Sequence, residues 1–306
     1  VSWSRVLIVR RATRLEELIA RFNTKPQARF YIESAGGDFA DYDAEDTAYK
    51  RTLDEVEHAV RGMAKVQVID RGLLPNYLFA DDELVVAVGQ DGLVANTAKY
   101  ALARPIVGVN PEPARYDGVL LPFHAASAAG AVRAVLDEQA RIRLVTMARA
   151  RLHDGQSLLA FNDFFIGART HISARYRIAA DGHEEVQSSS GVLVSTGAGS
   201  TGWLSSVFNM ATGVAAFAGT RLPKVPPMPW DVRELRWVVR EPFASRSTGA
   251  KMVAGRLQEG QHLELESQMP VHGVIFSDGI EQDFLHFNSG AIASVGLAEV
   301  SAQLVV

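Results

Sequence analysis

Apolar residues come first in short runs set between helical stretches and later in strict alternation, and the change falls near the middle of the chain. Residues 6–9 are an apolar run followed by TRLEELIARF, with Thr13 and Glu16 spaced as a capping box, which predicts strand, loop, helix. Between residues 45 and 64, Tyr49, Leu53, Val56, Val60 and Met63 recur at intervals of four and three, along one face of a helix. VQVID (66–70) and ELVVAV (83–88) read as strands, the second followed by GQDG and a helix-like LVANTAKYALA; PIVGVN (105–110) is the next strand. Strands alternating with helices at this spacing predict a mostly parallel sheet with crossover helices.

That pattern stops near residue 138. From Arg141 the chain turns to short alternating runs, RIRLV and later ARYRIAADGHEEVQ, in which Asp181-Gly182 sits as a hairpin turn. The second half is therefore expected to be β-rich. Residues 222–230, LPKVPPMPW, hold too many prolines for a regular element, and residues 244–255, ASRSTGAKMVAG, are expected to be an exposed, mobile loop. The expected architecture is an α/β N-terminal domain over residues 1–138 and a β-rich C-terminal domain over residues 139–306, with a return of the last ~15 residues to the first domain left open.

A chain of 306 residues exceeds a typical single domain, which agrees with two domains sharing a cleft. No apolar run approaches the ~20 residues that cross a bilayer, so no membrane partner is expected. The net charge of -4 argues against a nucleic-acid-coating surface, which needs clustered Lys and Arg. Absence of cysteine excludes disulfides, thiolate nucleophiles and Cys-based zinc sites, and suits a cytoplasmic protein. VSWSRVLIV at the start lacks the apolar core of a secretory signal. The histidines are scattered singly, so no protein metal-ligand set is expected.

Three loops carry candidate chemistry. VLVSTGAGSTGW (192–203) contains G-x-G-x-x-G, but a redox Rossmann site also needs an early βαβ position, a following strand and an acid about 20 residues on. No carboxylate appears between Trp203 and Asp231, and a plain glycine-serine turn explains the motif as well. VGQDGLVANT (88–97) follows a strand and precedes a helix, where backbone N–H groups and the helix dipole receive phosphate oxygens. It puts Asp91 at the carboxyl end of a parallel strand, although Asp-Gly is also a common turn pair. In FNDFFIG (161–167), Asn162 and Asp163 interrupt an apolar strand; together they can hydrogen-bond ribose hydroxyls or an adenine edge, and a bulge or strand-end turn is the plainer alternative.

Taken in order, these loops resemble the NAD kinase family. The family's Gly-Gly-Asp-Gly loop is matched by GQDG, its Asn-Glu pair by Asn162-Asp163, and its Asp-Gly-…-Ser-Thr-Pro-Thr-Gly-Ser-Thr-Ala-Tyr stretch by SSGVLVSTGAGSTGW. VGVNPEPARYDG, REPFASR and FNSGAIAS extend the likeness to the divergent mitochondrial-type branch. The resemblance implies a two-domain fold with the active site in the interdomain cleft, and transfer of the γ-phosphoryl of ATP to the 2′-hydroxyl of the adenosine ribose of NAD. NAD is then substrate rather than hydride carrier, and Mg²⁺ accompanies ATP. Carried over by position, Asp91 faces the 2′-hydroxyl, while Asn162 and Asp163 hold the other end of NAD. Gly92, Thr201, Gly202, Trp203 and Ser206 line the dinucleotide, and Gly89, Gln90 and Asn96 belong to the phosphate-donor loop. A homodimer is implied by the same likeness.

Two positions depart from the pattern. Gln90 replaces a glycine, and a side chain there costs about 1–2 kcal/mol if φ is positive. Ser190 stands where the main-line family has aspartate. Arg240, Arg246, Lys251 and Arg256 are expected on a solvated surface loop. Two other readings stay open: a non-catalytic NAD(P)-binding module, motivated by Gln90, and a lipid or sugar kinase, which shares the Gly-Gly-Asp-Gly style of loop.

Overall fold

The structure, a computed structural model, describes residues 3–306, apart from the side chains of residues 281 and 282. Two compact units divide the chain: residues up to Arg143 with Gln303–Val306 form the first, and Leu144–Ala302 the second.

In the first unit the chain runs β1 (Arg5–Arg10), α1 (Arg14–Phe22), α2 (Lys25–Ser34), α3 (Phe39–Arg61), β2 (Lys65–Asp70), β3 (Glu83–Val88), α4 (Asp91–Ala101), β4 (Pro105–Val109) and α5 (Ala125–Leu136). The strands lie in the order β2-β1-β3-β4, all parallel, and the end of the last strand of the chain joins parallel to β4 through Gln303 and Leu304. Every residue of β3 and β4 is buried, which is why, after Glu83, these strands read as apolar runs; the buried Glu83 is paired with Arg5 and Tyr77. Tyr49, Leu53, Val56 and Val60 of α3 pack against them, as their spacing predicts. The capping box at α1 is formed: Thr13 accepts the N–H of Glu16, and the Glu16 carboxylate accepts that of Thr13. α2 was not anticipated; Thr24 caps it and Pro26 sits in its first turn, where a missing N–H costs nothing.

The second unit holds β5 (Ile142–Leu152), β6 (Ser157–Ala160), β7 (Asp163–Ala168), β8 (Ala174–Ala180), β9 (His183–Ser189), β10 (Val192–Ser195), α6 (Trp203–Phe217), β11 (Leu235–Val239), β12 (Ala254–Leu257), β13 (Leu263–Ser267), β14 (Gly273–Ser277), β15 (Ile280–His286) and β16 (Ile292–Val305), whose last residues belong to the first unit. One sheet runs β16-β13-β8-β9 with β5 beside β16 and β6 beside β5; the other runs β12-β11-β10-β7-β14-β15 with antiparallel neighbours throughout. Phe164 and Ile166 of β7, Val192 and Val194 of β10 and Ile275 of β14 share a core with Tyr176, Ile178, Leu265 and Val295 of the opposite sheet. With a period of two, Asp163 and Phe165 therefore face outward from that core. α6 covers part of this outer face, packing Leu204 with Leu193 and Val238. Asp181 and Gly182 turn the β8–β9 hairpin with φ of 50° and 76°, as their identity predicts.

The proline-rich stretch 222–230 is irregular, as expected. Residues 244–255 are not a free loop: Gly249 donates its N–H to the Val186 carbonyl, Thr248 Oγ1 donates to the Phe243 carbonyl, and the Glu185 carboxylate accepts the N–H groups of Lys251 and Met252. Among the described residues, no helix is long and apolar enough to cross a membrane.

Candidate functional site

β3 ends at Val88 and the chain turns directly into α4. A Cβ at Gly89 would fall 2.8 Å from Leu93 Cδ2, so a side chain there would make Leu93 shift. Gln90 is the N-cap of α4 with φ −117° and ψ 165°, an extended backbone open to any residue, so the expected strain at this position does not arise. Asp91 opens the helix at the carboxyl end of a central parallel strand, where free N–H groups and the helix dipole favour negative charge. Its Oδ1 accepts the N–H of Leu120 at 2.7 Å.

That bond ties Asp91 to a loop over residues 110–121 whose role was invisible in the sequence. Asn110 shapes the loop, donating from Nδ2 to the Tyr116 carbonyl and accepting the Glu112 N–H. Gln90, Asp91 and Gly92 line a cleft of about 500 Å³ together with Arg115, Tyr116 and Asp117 from it. Arg115 is held at 2.9 Å from Asp41, which also binds Arg14; Arg14 and Arg11 both bind the buried Glu45. Burial pulls the Glu45 carboxyl up, but hydrogen bonds from the two arginines leave it below its ordinary value. Burial raises Glu112, whose Oε2 has no hydrogen-bond partner. Asn96 is a correction: it lies inside α4, buried, and lines no part of the cleft.

In the second unit the other two sequence motifs meet. Thr196 donates its N–H to the Asn162 carbonyl at 2.9 Å and its hydroxyl to the Phe161 carbonyl at 2.6 Å. Gly197 and Gly199 are glycines for space: a Cβ on them would stand 2.0 Å from the Pro229 oxygen and 2.2 Å from the Asn162 oxygen. The G-x-G-x-x-G signal thus marks close packing of one turn on another. Asp278, which the sequence did not single out, accepts the N–H groups of Phe161 and Asn162 at 3.1 and 2.6 Å. Asp163 is buried beside it, and burial first, then the Asp278 charge, pushes its carboxyl up to about 7.

Thr201 and Gly202 are exposed where the turn enters α6, and Ser206, one turn on, donates to the Gly202 carbonyl. α6 has no side-chain cap, so its first N–H groups are available. Thr201 borders a hollow of about 280 Å³ with Lys224 and Arg236, whereas Trp203 borders a different pocket on the outer face of the second sheet. There its ring runs parallel to Phe165, within 7°, at 5.8 Å between centroids. The Arg240 guanidinium stands 5.4 Å from the Trp203 ring and 5.9 Å from the Phe165 ring. Arg240 therefore belongs to this pocket rather than to a solvated loop. Among the described residues no three His, Cys, Asp or Glu side chains gather as a metal site.

No family model matches the chain, and no curated protein matches it. Solved structures do. Yeast NADH kinase, complexed with NADH, aligns with 100% of this chain and 84% of its own at a TM-score of 0.62 and 14% identity. An NAD kinase from Archaeoglobus fulgidus, in complex with ATP, aligns over 99% of this chain and 93% of its own at 0.58 and 17%. The two-unit fold is that of the NAD kinases.

Proposed function

We propose that this chain, built on the NAD kinase fold, is an NAD kinase, transferring the γ-phosphoryl of ATP to the 2′-hydroxyl of the adenosine ribose of NAD to give NADP. The observation that carries the reading is Asp91: a carboxylate in the first turn of α4, at the end of a central parallel strand, held by one backbone N–H and opening on a cleft. Full-length alignment with two NAD(H) kinases, one carrying NADH and the other ATP, supports the choice of substrates.

In the reaction, the 2′-oxygen forms a bond to the γ-phosphorus as the bond to the β,γ-bridging oxygen breaks, and the hydroxyl proton passes to Asp91. A loose transition state asks for in-line positioning and charge neutralisation more than for a strong base. One Asp91 oxygen stays fixed by Leu120 while the other remains for the hydroxyl. The backbone N–H of Gln90 receives donor phosphate at the start of α4, that of Gly89 being taken by the Val109 carbonyl. Asn162 and Asp163 hold the far end of the dinucleotide, which Gly92, Thr201, Gly202, Trp203 and Ser206 line. Mg²⁺ carried by the triphosphate would neutralise donor charge, and Asp117, on the same cleft, is an oxygen ligand of the kind that supplements phosphate oxygens and water.

The purified protein with Mg²⁺, ATP and NAD is expected to form NADP, and Asp91→Asn to lose roughly 10²–10⁴-fold in kcat while still binding NAD. Full activity in that variant would remove Asp91 from its role. The non-catalytic reading loses its motive, since Gln90 is unstrained. A lipid or sugar kinase would instead release ADP with diacylglycerol or a hexose and leave NAD untouched.

A further inference from the structure

The cleft at the start of α4 is lined by two carboxylates, Asp91 and Asp117, and among the described residues by a single cation, Arg115. The loop that carries Arg115 is fixed on both sides of it. Asn110 accepts the Glu112 N–H and donates to the Tyr116 carbonyl. Gly118 then turns with φ of 60°, where a Cβ would stand 2.5 Å from Asn110 Nδ2, and Leu120 donates its N–H to Asp91. The backbone that holds Asp91 therefore also places Arg115 in the cleft.

The ion pair of Arg115 is a loose one. Asp41 Oδ2 accepts from Arg14 and from Arg115, at 3.0 and 2.9 Å, and the carboxylate is nearly half exposed. A pair this exposed contributes little. Arg14 is fixed independently by the buried Glu45, so Asp41 keeps a partner if Arg115 turns away. Glu112 lies 3.8 Å from Arg115, too far for a hydrogen bond, and burial raises its carboxyl. A triphosphate binds a guanidinium more strongly than a carboxylate shared between two arginines does, since it carries several charges and meets the planar fork with two parallel hydrogen bonds. The N–H groups of a helix N-terminus supply only partial positive charge, so the two carboxylates of the cleft would oppose a donor that met no cation there.

We propose that Arg115 contacts the phosphoryl donor directly, its guanidinium leaving Asp41 to Arg14 and binding phosphate oxygens of ATP in the cleft beside Asp91. The inference rests on the reading of this cleft as the donor site of a kinase.

Titration calorimetry of MgATP on the whole protein, alongside steady-state NADP formation, tests the contact. Arg115→Gln is expected to weaken MgATP binding about tenfold or more and to raise KM for ATP in step, through loss of charge-assisted hydrogen bonds, while KM for NAD changes by less than about twofold. Arg115→Lys keeps the charge without the fork and should fall between the two; it carries the comparison by itself if circular dichroism shows Arg115→Gln unfolded. Asp41→Asn separates contact from positioning of the loop: with Arg115 intact, it should bind MgATP as tightly as the wild type or better. Unchanged MgATP affinity in the Arg115 variants, or an equal loss in Asp41→Asn, overturns the inference. Should the wild type bind MgATP yet form no NADP, the kinase reading falls and the Arg115 comparison still decides the contact. If the wild type binds no MgATP, both fall.

Discussion

Asp163 concentrates the physics of the second unit in one carboxyl. Its ordinary value is 3.8 and its value in the fold about 7, so between those limits the folded chain holds a proton that the unfolded chain has released. The associated stability is complete below about pH 4 and is lost as pH rises through about 7. Urea unfolding is thus expected to show the wild-type protein more stable at pH 5 than at pH 8 by a margin that Asp163→Asn reduces. An identical margin in both proteins would show that this carboxyl is not its source. The Asn162-Asp163 pair was legible in the sequence because polar residues interrupt an apolar run. Asp278 was not, since it reaches Asn162 across 116 positions and nothing local announces the meeting. Arg240 was legible only as a charge near a loop; its ring partners come from β7 and α6, far apart in the chain.

Elements with a strong period or a cap were readable, and those without were missed. α3 shows four-and-three spacing, α1 shows its capping box, and β3 and β4 show buried parallel-strand runs. α6 escaped because it has no capping side chain, carries Gly213, and buries only Leu204 fully, which leaves no stripe to detect. At the β3–α4 junction the strain that a positive φ would bring to Gln90 does not arise, because its backbone is extended. Gln90→Gly is accordingly expected to raise stability by no more than about 1 kcal/mol, the advantage that glycine holds at an N-cap over residues making no capping bond. A gain beyond 1–2 kcal/mol in thermal unfolding would restore the strained reading.

At the scale of the molecule, each unit has its own core, and β16 serves both. Gln303 and Leu304 pair with Pro105 and Ile106, and the buried Leu304 and Val305 complete the first unit. Deleting residues 303–306 should cost roughly 3–6 kcal/mol from two lost buried side chains, together with the strand pairing. Unfolding monitored at the first unit would show this, and an unchanged midpoint would mean that the pairing contributes nothing. The alternation of strands and helices made this sheet legible except at its margin, since a strand contributed from across the whole length of the sequence leaves no local mark.

This arrangement also sets an order of events during synthesis. Domains tend to form as the ribosome delivers them, N-terminal first. Here the parallel sheet of the first unit emerges early yet waits for a strand translated after the entire β-sandwich, so the nascent chain carries an open parallel edge at β4 until Gln303 and Leu304 arrive.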